Sequence, residues 1–73
     1  MKLIYFPETD SLYIDLAERP SIDSREMADG VVLDFDEQGT LVGIDIDQAS
    51  KIVELARFES IALPMESISL KST

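Results

Sequence analysis

The residues of this chain best placed to do chemistry are carboxylates. Asp34-Phe35-Asp36-Glu37-Gln38-Gly39 is followed six residues later by Asp45. Counted from Asp34, acids fall at positions 1, 3 and 12 and a glycine at position 6, close to the spacing of a calcium-binding loop. Calcium takes about six to eight oxygen ligands, which clustered carboxylates supply. Two positions weaken the match: Gln38 at position 5 is a poorer ligand than Asp or Asn, and Asp45 is too short for the bidentate Glu usual at position 12. The flanking residues alternate with the period of a strand, whereas a calcium loop of that kind joins two helices. The reading that fits the flanks is a hairpin whose wet face carries Asp34, Asp36, Asp45 and Asp47. These four form the candidate partner-binding surface. The alternative is a looser site for a hard cation or a small ligand on the same acidic hairpin.

A second polar group is Ser24 with Glu26, beside Arg25. In the register that pairs Ala28 with Val31, Ser24 falls opposite Phe35 and Glu26 opposite Leu33. Both would then point at the apolar face, where a carboxylate's pKa rises. A one-residue slip reverses that inference, and the plainer reading puts both side chains at a sheet edge, bonded to backbone or water. There is no His and no Cys. The commonest general base and the usual zinc ligands are therefore missing, and no nucleophilic triad can be assembled. The glycines sit at turns or alone within a strand, so they form no phosphate cradle. Tyr5 and Tyr13 read as sheet packing. No catalytic residue, resident metal or cofactor is assigned, and the chain is read as non-enzymatic.

Charge narrows the partners. Fifteen Asp and Glu stand against six Lys and Arg, a net charge of −9. Nucleic acid demands a basic surface, so it is excluded as a partner, while a basic protein or a cation is compatible. The opening MKLIYFPETD is too short for the apolar region of a signal peptide, and no stretch approaches the roughly 18 apolar residues of a membrane span. The expectation is a cytoplasmic protein with no membrane partner. A single domain of 73 residues without disulfides buries a marginal core, which favours a homo-oligomer.

The elements that must position these residues are strands. Lys2 to Phe6 and Ser11 to Ala17 flank a turn at Pro7–Asp10, and the register Phe6–Ser11 sets Tyr5 opposite Leu12, Leu3 opposite Ile14 and Lys2 opposite Asp15. Ser21 to Ala28 is the weakest and most polar strand. Asp29-Gly30 predicts a tight type I′ turn into Val31–Asp36, and Arg25 is then expected opposite Asp34. Gln38-Gly39 turns the chain into Leu41–Ile46, which places Val31, Leu33, Phe35, Val42, Ile44 and Ile46 on one dry face. That face needs a cover. Asp47 is a good N-cap for a helix over Gln48 to Arg57, whose Ala49, Ile52, Val53 and Ala56 form an apolar stripe. Ser60–Leu63 and Ser67–Leu70 alternate like short strands of a C-terminal extension over residues 58–73. The fold class expected is α+β: a small antiparallel sheet, a meander of about five strands, covered by one C-terminal helix.

Several stretches, in order, resemble the DUF2283 family of small bacterial and archaeal proteins of unknown function. They are Tyr5-Phe6-Pro7-Glu8-Thr9-Asp10-Ser11-Leu12-Tyr13-Ile14, Ser24-Arg25-Glu26, Gly30-Val31-Val32-Leu33-Asp34-Phe35-Asp36, Gly39, Val42-Gly43-Ile44-Asp45-Ile46 and Ala49-Ser50. They cover the first 50 residues. Phe6 stands where the family commonly has Asp. The resemblance implies a small antiparallel sheet with a helix and no established activity. Some relatives are encoded beside small toxins, so by association it also implies an antitoxin role. The functional expectation is a protein-interaction module, a homo-oligomer, antitoxin-like towards a small basic protein.

Overall fold

Strands form where side chains alternate between apolar and polar, and turns form where Pro, Gly and Asp interrupt that alternation. The computed structural model describes residues 1–64. It contains β1 (Lys2–Phe6), β2 (Ser11–Asp15), β3 (Asp23–Ala28), β4 (Val31–Phe35), β5 (Leu41–Ile46) and a single 3-10 turn, Ala49–Lys51. The strands make one antiparallel sheet in the order β1-β2-β5-β4-β3. This is not the expected meander. β5 enters between β2 and β4, so the chain after β2 must cross to the far edge before β3 begins, which is a Greek-key connection. Arg19 and Ile22 anchor that crossing: the Arg19 guanidinium donates to Asp36, and the Ile22 N–H donates to the Phe35 carbonyl, both at 2.9 Å.

The β1–β2 register agrees with the sequence at every pair, including Lys2 opposite Asp15. In β4–β5, Val31, Val32, Leu33 and Asp34 meet Ile46, Asp45, Ile44 and Gly43 as expected. The ladder then shifts, pairing Phe35 with Leu41 and leaving Val42 as the extra residue. Between β3 and β4, Ala28 pairs with Val31, but a bulge at Met27 slips the rest by one. Ser24 therefore meets Asp34 and Glu26 meets Val32, on the polar face rather than the apolar one. Arg25 moves to the opposite face, where its guanidinium lies 5.5 Å from the centre of the Phe35 ring. The turn explains the slip. Gly30 takes φ +80° but Asp29 stays at negative φ, so the turn is not type I′, and a bulge restores the pairing.

The fold is all-β, and the expected α+β assignment is corrected: no helix follows the sheet among the described residues. Asp47 does not cap a helix. Its backbone N–H donates to the Gly30 carbonyl at 2.7 Å, and Gln48 then turns left-handed at φ 51°. Only the first turn of the apolar stripe docks: Ala49 is fully buried in a cluster with Leu12 and Ile46, and Val53, like Ile14 and Ile44, packs against that cluster. Ile52 is 51% exposed and Ala56 is also exposed. A helix of about ten residues cannot persist on one docked turn, least of all with β-branched residues at its centre. Ser60–Leu63 forms no strand. The Ser67–Leu70 expectation lies outside the described residues.

Candidate functional site

The registers place two cross-strand rows on the polar face. One runs Lys2, Asp15, Gly43, Asp34, Ser24; the next runs Ile4, Tyr13, Asp45, Val32, Glu26. Side chains directly opposite each other project to the same side of a sheet. Four carboxylates and one lysine thus share this face, the lysine at the β1 edge.

Tyr13 joins the two rows. Its ring leans over Gly43 and its hydroxyl donates to Asp34 Oδ2 at 3.1 Å, while the Ser24 hydroxyl donates to Asp34 Oδ1 at 2.7 Å. Gly43 makes this possible. A Cβ at that position would overlap the Tyr13 hydroxyl and stand 2.6 Å from its Cζ. The absent side chain is the receptacle for the phenol, a usual reason for a glycine inside a strand. Burial pushes the Tyr13 pKa up, as do its hydrogen bond to Asp34 and the charges of Asp34, Asp15 and Asp45. The phenol therefore keeps its proton at neutral pH and acts as a donor. With both hydroxyls donating to one carboxylate, the trio is a satisfied hydrogen-bond network that fixes the shape of an acidic surface.

The four aspartates expected on one surface are separated. Asp34 is tied into this trio, and Asp45 is exposed beside it on β5. Asp36 is only 7% exposed and is consumed by the fold. Its Oδ1 accepts the N–H groups of Thr40 and Gln38, each at 2.9 Å, and its Oδ2 accepts Arg19 Nε at 2.9 Å. The Thr40 and Gln38 amides, with the Arg19 charge, hold its carboxyl below the usual range against the opposing effect of burial. Asp47 is exposed beyond the end of β5, its carboxylate accepting the Gln48 N–H at 3.0 Å. Among the described residues, no group of three or more acidic side chains is gathered to hold a metal ion. The calcium-like spacing is thus spent on a turn. Glu26 lies exposed on β3.

A second network escaped the sequence reading. Asp10, at φ 54°, accepts the Tyr5 hydroxyl at 2.7 Å and the Ser50 hydroxyl at 2.6 Å, and its backbone carbonyl accepts the Ala49 N–H at 2.8 Å. It does for the 3-10 turn what Asp47 was expected to do for a helix. The Ser50 and Tyr5 hydroxyls lower the Asp10 pKa. No sequence signal links residues 10 and 50. For Tyr13 there was one, the isolated Gly43 within a strand.

A family model described as "Protein of unknown function (DUF2283)" matches residues 2–50, which contain all five strands, both networks and most of the 3-10 turn. No curated protein and no solved structure matches the chain. No helix among the described residues is long and apolar enough to cross a membrane. The chain belongs to the DUF2283 family.

Proposed function

We propose that this DUF2283 member is a non-enzymatic protein-interaction module, which works as a homo-oligomer and presents its acidic face to a basic protein. The observation that carries this reading is the thinness of the core. The apolar side chains buried among the described residues are Leu12, Val42, Ile46 and Ala49. Against them stand large apolar side chains left in water, among them Leu3, Tyr5, Phe6, Ile52, Phe58 and Ile61. A sheet with so little buried area gains from association, because whatever binds only the folded state stabilises it. The Tyr13–Asp34–Ser24 network supports the second half of the proposal: it holds Asp34 rigid beside Asp15 and Asp45, so a basic partner meets a prearranged field. A small basic toxin is one partner of that chemistry.

The test is capture of the full chain from its native cells at about 0.1 M salt, followed by a wash at about 1 M, where charges are screened beyond roughly 3 Å. The expected result is a basic protein that co-purifies and is released by the wash. Its capture should weaken when Asp45→Lys and Glu26→Lys are combined. Recovery of the chain alone at every salt concentration contradicts the basic-partner reading.

A further inference from the structure

The two edges of the sheet are built differently. β3 carries Asp23, Arg25 and Glu26 and breaks its ladder with the bulge at Met27. Charges and bulges are the usual means by which a native edge refuses a further strand. β1 has no bulge and a single charge. Its ladder to β2 is regular over all five residues, and Leu3, Ile4, Tyr5 and Phe6 are exposed at 47, 37, 41 and 48%. Among the described residues β1 has a neighbour on one side only, so half of its backbone donors and acceptors face outward.

We infer that β1 pairs antiparallel with β1 of a second copy across a two-fold axis, joining two five-stranded sheets edge to edge. This rests on the homo-oligomer proposed above and names its surface. Three observations select a second copy as the occupant. The first is charge. In a chain of net charge −9, residues 1–7 hold no acid and one lysine, whereas the polar face and the β3 edge both carry carboxylates. β1 is therefore the side on which two copies approach against the least repulsion. The second is self-complementarity. An axis at Ile4 sets Leu3 opposite Tyr5 of the second copy and Lys2 opposite Phe6, which are aromatic–aliphatic and cation–aromatic pairs, and it holds the two lysines at opposite ends. The third is closure. The pairing is isologous, keeps apolar face continuous with apolar face, and leaves only the two guarded β3 edges exposed.

Sedimentation equilibrium of the full chain, with single-cysteine variants, tests this. The chain has no cysteine of its own. The expected mass is about 16.2 kDa, twice 8.1 kDa. Opposed residues of antiparallel strands lie about 4.5–5.5 Å apart at Cα, within disulfide reach, so Ile4→Cys should oxidise to a covalent dimer and Met27→Cys should not. Ile4→Lys should keep the far-UV spectrum and raise the dimer Kd at least about tenfold. A wild-type dimer in which Ile4→Cys fails to cross-link and Ile4→Lys still dimerises overturns the β1 assignment and leaves the homo-oligomer standing. A wild-type mass of 8.1 kDa at millimolar concentration overturns both. In that case, protection of the β1 amides from exchange would identify a segment of the same chain as the cover.

Discussion

Gly43 and Tyr13 are one feature written at two positions. The phenol occupies the volume that any other residue at position 43 would fill. Gly43→Ala should therefore lift the ring off Asp34 and destabilise the fold by about 1–3 kcal/mol, the usual range for forcing a methyl group into filled space. In a Tyr13→Ala background the same substitution should cost far less, and urea midpoints of the four proteins of the cycle measure the difference. Asp10 and Asp36 have folded-state pKa values below the ordinary 3.8, so the unfolded chain takes up protons first as pH falls. Their contribution is complete above about pH 3.8 and is lost as pH falls below it toward the lowered values. Tyr13 and Tyr5 are raised above 10.0, so theirs is complete below pH 10.0 and is lost as pH climbs through the raised values. Denaturation midpoints should be flat between about pH 5 and 9 with respect to these groups and fall at both ends, and Asp10→Asn should reduce the acid limb.

At the scale of elements, the pairing of β1 with β2 and of β4 with β5 as far as Asp34 was legible because alternation and turn residues agree along those stretches, whereas the shift that sets Phe35 opposite Leu41 rather than Val42 was not. The β1–β2 register followed to the last pair. What was not legible depended on a backbone dihedral or a distant partner. The one-residue slip of β3 follows from a negative φ at Asp29, which no side-chain pattern announces, and it carried Ser24 from the apolar face to Asp34. The helix over Gln48–Arg57 had a stripe, but Gln48 turns left-handed and only Ala49 and Val53 of that stripe pack on the sheet, which local periodicity cannot reveal. A far-UV spectrum dominated by strand, without the 222 nm helical minimum, is expected; a clear helical band would contradict the all-β fold. The candidate acids were legible as residues but not as roles, since Asp36 proved to be the staple of the β4–β5 turn rather than a surface ligand. Asp36→Ala should free the Arg19 crossing and lower Tm by roughly 5–10 °C, with faster amide exchange at Gln38 and Thr40.

For the whole molecule, the deciding contrast is between a small core and an unguarded strand. Large apolar side chains are held in water, and β1, the edge free of acids and bulges, carries apolar side chains on both of its faces beside the single Lys2. Association through β1 leaves the acidic rows of both copies on the same side of the joined sheet, a broader negative surface than one copy offers a basic partner. The most direct measurement is amide hydrogen exchange of the wild-type chain across a concentration series. Protection in Lys2–Phe6 should rise with protein concentration while protection in Asp23–Ala28 stays constant. Exchange in Lys2–Phe6 that is fast and unchanged from the lowest concentration to the highest would contradict association through β1.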